Sequence, residues 1–218
     1  MSGAGEKYDD GDKDLAPEVK RMKSSFEKTD IALIVDGKRL YINRNELMEK
    51  SPVFKKMLTA DFKERNALKI ELPKKDLHHF LMFLRCTLDG HDDQINNINV
   101  HCIIPIAHEY QVKETLDKAN IFLSNKYLQR SLKDCLSTDI INGIIEAEKY
   151  GLTRTLKELI DRASRKKFKT FSKTSDFDAI SKGTLNKISM ARWHNDIDGN
   201  TGEPCLFTLA TINSGVRN

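Results

Sequence analysis

A two-residue turn between two apolar runs is the feature that most restricts how this chain can fold. Ile31–Val35 and Arg39–Ile42 are rich in branched apolar residues, and Asp36-Gly37 lies between them. Asp-Gly suits the positive φ values of a tight hairpin turn, so the two runs predict antiparallel strands. A third run, 68–72, alternates apolar and charged residues as a half-buried strand does. The sequence therefore predicts a small sheet.

In the segments before and after these strands, apolar residues recur at spacings of three and four, which predicts helices. Pro17 suits the first turn of a helix over 15–26, and Ser51-Pro52 provide the N-cap and first residue of another. One later helix begins at Asp76, and Asn99 is predicted to cap another. Pro105 lies inside the second of these and predicts a kink or a delayed start. We therefore expect an α+β fold, a small β-sheet flanked by a cluster of short α-helices.

Beyond residue 126 every recognisable pattern is helical, which predicts an all-α extension. Leu128, Leu132 and Leu136 predict one helix, and the segments 140–151 and 156–163 predict two more. The apolar residues between 177 and 188 predict two shorter helices. A basic run at 162–173 fits either a solvated link or a surface for an anionic partner such as nucleic acid.

These patterns divide the chain into four parts. We expect a disordered tail over 1–14, because its Gly, Asp and Lys residues bury too little apolar surface to offset the entropy of ordering. The first domain, with its N-terminal helix, should span 15–126 and have its core at 27–125. The helical extension should span 127–193, followed by a tail of low order over 194–218.

Composition excludes several classes of protein. With 39% hydrophobic and 31% charged residues, the chain has no apolar run near the ~20 residues that a membrane crossing needs. Its 36 basic and 32 acidic residues set no strong expectation of nucleic-acid binding. The acidic, Gly-rich N-terminus is unlike a secretory signal, and the four cysteines form no CxxC pair. We expect reduced thiols and an intracellular protein, cytoplasmic, nuclear or both.

The sequence also lacks the common motifs of catalysis. It contains no GxGxxG or GxxxxGK[ST] phosphate loop and no GxSxG nucleophile elbow. His78 and His79 are adjacent on a helix and point in different directions, while His101 and His108 are two turns apart. We expect no metal, no cofactor and no enzymatic activity, although a triad assembled only in three dimensions would leave no signature.

Several ordered blocks of residues resemble the BTB/POZ domain, including its BTB and MATH–BTB adaptor branches. The blocks are Asp30–Val35 with Gly37, Leu40–Arg44, Leu47, Ser51–Phe54, Met57-Leu58, Phe62-Lys63-Glu64, Ile70–Leu72, Phe80, Leu84, Ala107–Gln111, Leu116 and Phe122-Leu123. The resemblance covers about 30–123. It implies the BTB/POZ fold and a homodimer, or a dimer with other BTB proteins.

The resemblance also implies residues at the dimer interface. In the family, residues at the positions of Asp30 and Arg44 form a charged pocket near that interface, where each charge must be matched. The alternative is a partly exposed surface pair. A stripe of Val19, Met22 and Phe26 would also be covered by self-association, since a two-fold dimer buries the same patch twice.

Phe62-Lys63-Glu64 resembles the motif with which MATH–BTB adaptors bind a cullin-3 scaffold. Phe62 would be an apolar anchor and Glu64 would fix orientation. Alternatively, Phe62 packs into its own domain and Glu64 is solvated. The helices after Leu123 resemble the start of a BACK-type or three-box extension, or are a generic helical appendage.

The function implied is an adaptor that dimerises and recruits an unknown substrate protein to a cullin-3 ubiquitin ligase. The alternative is a BTB dimerisation module with a scaffold or transcription-regulatory role and no cullin binding. We recognise no MATH, kelch or zinc-finger module in these 218 residues. Target binding would then fall to 127–193, to the tails or to a partner protein.

Overall fold

The computed structural model describes residues 14–24, 31–59, 69–91 and 93–197. Contacts divide the chain into two compact units, residues 1–119 and 120–218. The division falls inside one continuous helix, earlier than the boundary expected after residue 126. Most of the two expected tails lies outside the described residues.

The first unit contains the sheet. Its elements are α1 (Pro17–Ser24), β1 (Ile31–Val35), β2 (Lys38–Ile42), α2 (Arg44–Lys50), α3 (Pro52–Thr59), β3 (Lys69–Leu72), α4 (Leu77–Thr87), α5 (Val100–Glu109) and the N-terminal part of α6 (Lys113–Gln129). The expectation of a small sheet with short helices is confirmed.

The sheet has three strands in the order β2-β1-β3. β1 and β2 form the predicted hairpin, with Asp36 and Gly37 at φ values of 49° and 72°. Both turn residues therefore lie in the left-handed region that this type of hairpin requires. β3 runs parallel to β1 on its other side.

One apolar core holds the sheet and helices of this unit together. Phe54 of α3 stacks on Tyr110 at 4.5 Å between ring centroids, and Tyr110 also meets Phe80 edge-on at 5.8 Å. Further fully buried members are Ile31, Leu33, Val35, Leu40, Leu81, Leu84, Ile103 and Ala107. Burying side chains of this size contributes about 1.5–3 kcal/mol each.

Helix α2 was not predicted. It begins after Asn43, whose Oδ1 accepts hydrogen bonds from the backbone N–H groups of Asn45 and Glu46 at 2.9 and 3.1 Å. An asparagine followed three residues later by glutamate is a recognised start signal, so the sequence did contain the information.

The structure also corrects the expectation for α5. Asn99 precedes the helix, but its side chain makes no cap, so the predicted capping role is wrong. Instead its Oδ1 accepts from the Asn96 N–H at 2.8 Å and its Nδ2 donates to the Gln94 carbonyl at 3.0 Å. The helix begins at Val100 and includes Pro105, so the delayed start is wrong.

An ion pair joins α4 to the segment that precedes α5. Arg85 donates from Nε to Asp93 Oδ2 at 2.7 Å and from Nη2 to Oδ1 at 2.9 Å. This two-point contact, chiefly through its hydrogen bonds, holds the pKa of Asp93 below its usual value.

The second unit is helical, as expected for the extension. It contains the rest of α6 with α7 (Ser137–Tyr150), α8 (Thr153–Ser164), α9 (Phe168–Phe171) and α10 (Lys182–Ile197). α8 packs against both α7 and α10. The core of the second unit consists of Tyr127, Cys135, Ile140, Ile141, Ile144, Leu159, Ala163, Phe171, Ile180 and Ile188.

Two helix predictions in this unit are wrong. Leu128, Leu132 and Leu136 do not share a helix, because α6 ends at Gln129 and a 3-10 turn follows at Leu132–Asp134. Leu128 and Leu136 are exposed, and the turn instead places Cys135 in the core. The two short helices expected over 177–188 are one 3-10 turn and the long α10, which continues through Ile197 into the expected tail.

Side chains from other helices satisfy both ends of α8. At its start the Thr155 N–H donates to Asn120 Oδ1 at 3.0 Å, and the Thr155 hydroxyl donates to the Asn120 carbonyl at 3.1 Å. At its end Arg192 of α10 donates from Nη2 to the Ala163 carbonyl at 3.0 Å. These bonds replace the local caps that a helix otherwise needs.

Arg162 is buried in this unit with few acceptors. The residue is 9% exposed, and its Nη1 donates to the Cys135 thiol sulfur at 3.4 Å. Its Nε has no hydrogen-bond partner. No carboxylate within residues 14–24, 31–59, 69–91 and 93–197 pairs with it.

Gly143 allows α7 to approach the side chain of Tyr127. A Cβ at this position would lie 2.7 Å from Tyr127 Oη and 3.0 Å from Leu159 Cδ1. We therefore expect Gly143→Ala to lower the free energy of unfolding by about 1–3 kcal/mol through overpacking, although alanine favours helix. Urea unfolding followed by circular dichroism measures the change.

Two further variants test this explanation. Gly183→Ala is the control, because a Cβ there would meet only the Ser181 hydroxyl at 3.9 Å. Adding Tyr127→Phe to Gly143→Ala removes the nearest atom and should recover part of the lost stability. Equal effects of the two alanines would contradict the packing role of Gly143.

The Arg85–Asp93 pair predicts a loss of stability in acid. Because the folded pKa of Asp93 lies below its unfolded value of about 3.9, the stabilisation is complete above that value and disappears as pH falls through the folded pKa. Asp93→Asn should cost about 1 kcal/mol or less at neutral pH, since the pair is partly solvated. Its cost should shrink below about pH 4, as measured by denaturant unfolding across pH. Asp117→Asn, at an exposed position, is the control; an equal pH dependence in both would reject the assignment.

Candidate functional site

A buried serine joins the start of α3 to the end of α5. The Ser51 hydroxyl donates to the Tyr110 carbonyl at 2.6 Å and accepts from the Phe54 N–H at 3.1 Å. Ser51 therefore caps α3, as its sequence predicted, and also anchors that helix to another part of the chain. The stacked rings of Phe54 and Tyr110 reinforce the same junction.

The turn after α5 contains a residue in the left-handed region. Gln111 has φ of 54°, its N–H donates to the His108 carbonyl, and the next N–H, of Val112, donates to the Ala107 carbonyl at 2.8 Å. This pair of bonds is the helix ending that glycine usually forms. A glutamine there costs roughly 1–2 kcal/mol in backbone conformation. Residues other than glycine that keep such a strained backbone are often found at functional sites.

A groove lies on the surface where α3 meets this turn. It has a volume of about 540 Å³ and is lined by Pro52, Val53, Lys56, Met57 and Gln111. Phe54 and Leu58 of α3 are buried in the core. Val53 and Met57 are half-buried, and they pack against that core and also line the groove. The groove is apolar with one lysine and one amide at its rim. This composition suits an apolar side chain or backbone segment of another protein.

The sequence predicted that α3 is apolar on one face, but it did not predict a groove at the surface. Val53 and Met57 belong to the apolar face predicted for α3, where they were expected in the core together with Phe54 and Leu58. All four residues lie on one apolar stripe of α3, so no signal in the sequence separates the two fully buried residues from the two that line the groove.

Two ion pairs involve the residues that precede Ser51 and Tyr110 in the sequence, Lys50 and Glu109. Lys75 Nζ contacts Glu109 Oε2 at 2.6 Å and lies 5.9 Å from the Tyr110 ring centroid. Lys50 Nζ contacts Asp89 at 3.0 Å, and hydrogen bonding to Asp89 raises the pKa of Lys50. Burial raises the pKa of Tyr110. The tyrosine therefore remains a neutral packing residue near pH 7.

The dimer-interface candidates are only partly within the described residues. Met22 is 7% exposed and belongs to the core of the first unit, and Val19 packs against that core. Met22 is therefore covered within the chain, contrary to the expectation that it is exposed, while Val19 is half-buried. The role of this stripe at a dimer interface stays a prediction. Arg44 is half-exposed at the start of α2. Phe26 and Asp30 lie outside the described residues.

The cullin-contact candidates Phe62 and Glu64 also lie outside the described residues. The last described residue before them is Thr59, at the end of α3. The groove and the predicted motif are therefore close in sequence.

Among the described residues, no three His, Cys, Asp or Glu side chains are grouped closely enough to hold a metal ion. The His78 and His79 rings are 6.3 Å apart between centroids, and the buried His78 Nε2 has no hydrogen-bond partner. No helix in the described ranges has the length and apolar character needed to cross a membrane.

Comparison with known proteins identifies the first unit. A family model described as the BTB/POZ domain matches residues 20–127. BTB and MATH domain-containing protein 38 of Caenorhabditis elegans is 26% identical over 147 residues, covering 61% of this chain and 37% of the relative. BTB and MATH domain-containing protein 36 of the same organism is 27% identical over 126 residues, covering 58% and 36%. The chain thus spans little more than a third of these relatives.

The family match coincides with the three-stranded sheet, its flanking helices and the junction at Ser51. Residues 20–127 of this chain therefore form a BTB/POZ domain, which is a protein-interaction module.

Proposed function

We propose that this chain is an adaptor that dimerises through its BTB domain and docks a cullin-3 ubiquitin-ligase scaffold, to which it brings a target protein. The BTB domain and the BTB and MATH relatives support an adaptor role in general. The cullin partner is supported by the resemblance of Phe62-Lys63-Glu64 to the motif of the MATH–BTB adaptors.

The observation that favours docking at this site is the groove between α3 and Gln111. An apolar groove, formed in part by the helix that precedes this motif in the sequence, would concentrate binding energy in a few contacts. Gln111 retains a strained backbone while its side chain lines the groove. Strain of this kind is expected where a side chain is required for binding.

The alternative is a BTB dimer that serves as a scaffold or in transcriptional regulation without cullin. The two proposals differ in one measurable property, binding of the purified chain to the N-terminal part of cullin-3. A stable dimer that does not bind would reject the cullin role and leave the alternative. Phe62→Ala and Glu64→Ala should each weaken binding by about tenfold or more without changing the dimer.

We expect Gln111→Gly to stabilise the fold and, at the same time, to weaken cullin-3 binding at the groove. Glycine relieves the left-handed strain, so the free energy of unfolding should rise by up to about 1 kcal/mol. Loss of the side chain should weaken cullin-3 binding several-fold, measured by titration calorimetry. Lys74→Gly is the matched control, because Lys74 also has positive φ, at 60°, and does not line the groove. If both variants bind as the parent chain does, the groove is not the docking site.

The dimer is tested through Arg44. If Arg44 and Asp30 form the charged pocket of the dimer interface, Arg44→Ala leaves one charge unmatched, which costs several kcal/mol when that charge is buried. We expect the dimer dissociation constant to rise about tenfold or more, measured by light scattering and analytical ultracentrifugation. Arg39→Ala, at an exposed position of β2, is the control. A parent chain that is monomeric at micromolar concentration would contradict the dimer altogether.

A further inference from the structure

Two large apolar side chains are exposed near the C-terminal end of α10. Met190 and Trp193 are 62% and 58% exposed and lie one turn apart on the same face of the helix. The opposite side of α10 is fixed, since Ile188 belongs to the core of the second unit and Arg192 is buried. The two exposed side chains, which we call the α10 patch, are therefore presented by an anchored element.

Hydrogen bonds to the end of α8 and to the segment that follows it hold this part of α10 in place. Arg192 donates from Nη1 to the Lys166 carbonyl at 2.6 Å. Asn195 Nδ2 donates to the Ser164 hydroxyl at 2.9 Å. Because these contacts use the buried side of the helix, they leave the α10 patch uncovered.

The sequence after α10 contains an uncharged, apolar run. The described part of the chain ends at Ile197, and residues 198–218 follow. Residues 205–212 read Cys-Leu-Phe-Thr-Leu-Ala-Thr-Ile, and no charged residue stands between Glu203 and Arg217. Leaving large apolar side chains in water is unfavourable, so a run of this kind gains free energy by packing on an apolar surface.

The link between α10 and this run is long enough for the chain to return along the helix. Trp193 and Met190 lie about 6 and 10 Å before the end of α10, at a rise of about 1.5 Å per residue. The seven residues 198–204 reach about 23 Å when extended. They include Gly199, Gly202 and Pro204, which are typical of turns. The apolar run can therefore reach the α10 patch without unfolding any of the helix.

We propose that residues 205–212 pack on the α10 patch of their own chain, with Phe207 and Leu209 against Trp193 and Met190. Residues two apart in an extended segment face the same way, so Phe207 and Leu209 are presented together. The short link keeps the run at an effective concentration of about 1 mM or more at the patch. A second copy of the chain offers the same run only at its own, much lower concentration. The segment of the same chain is therefore the favoured occupant.

The fluorescence of Trp193 reports on the α10 patch, because the chain contains only one tryptophan. In the full chain, Phe207→Asp with Leu209→Asp should shift the emission to longer wavelength. The same change should raise the acrylamide quenching constant about twofold or more, because a carboxylate does not leave water to pack on an indole ring. Asn213→Asp with Val216→Asp is the matched control, since it adds the same two charges to the same segment outside the run. It should leave emission and quenching as in the parent chain.

A peptide added in trans locates the contact. A synthetic peptide of residues 198–213 should restore the short-wavelength emission of the Phe207→Asp, Leu209→Asp variant. Its dissociation constant should be about 0.1–1 mM, because the link no longer raises the local concentration. A peptide of the same composition in scrambled order should have no effect. Adding Met190→Asp to the variant should weaken binding of the peptide about tenfold, while circular dichroism shows an unchanged helix content.

Four results would overturn the proposal. The first is equal emission and quenching in the parent chain and in the Phe207→Asp, Leu209→Asp variant. The second is an equal effect of the two double variants. The third is the absence of any effect of the peptide up to about 2 mM, or an equal effect of its scrambled form. The fourth is protection of Trp193 that appears only as the protein concentration rises about a hundredfold, which would assign the α10 patch to a second copy of the chain.

Discussion

β1 pairs with β2 in antiparallel fashion on one side and with β3 in parallel fashion on the other. A two-residue turn is enough for the first pairing, and β2 returns the chain to the end of the sheet at which β1 begins. The chain must then pass β1 to add β3 on its other side, and α2 and α3 lie in that connection. α3 is thereby placed with Phe54 and Leu58 in the core and with the half-buried Val53 and Met57 at its edge, where they line the groove. The position of the groove follows from the topology of the sheet.

The backbone groups at helix ends find hydrogen-bond partners in different ways in the two units. In the first, side chains of the chain's own turns cap the helices, as Asn43, Ser51 and Asp76 do. In the second, the ends of α8 depend on Asn120 and Arg192, which come from other helices. Helix α8 is thus stabilised only when α6 and α10 are present. The second unit should consequently fold as a whole and not helix by helix.

The sequence predicted the sheet and most helices of the first unit because their signals are local. Asp36-Gly37 and Ser51-Pro52 act within a few residues, and alternation alone identified β3. The failures have non-local causes. Leu128 and Leu136 have helical spacing, yet the chain turns so that Cys135 enters the core. The groove required two distant segments, and neither α3 nor Gln111 reveals it alone.

The buried contact between Arg162 and Cys135 has a consequence for where the second unit is weakest. A thiol is a poor hydrogen-bond acceptor, and the Nε of Arg162 has no hydrogen-bond partner in the folded unit. Local opening of the structure would let water hydrogen-bond to this guanidinium group. Desolvation of the guanidinium therefore raises the free energy of the native state at the contact between Arg162 and Cys135. Transient excursions that admit water should begin there, and backbone amides near Cys135 should exchange their hydrogens sooner than those beside Ile141 or Ile144.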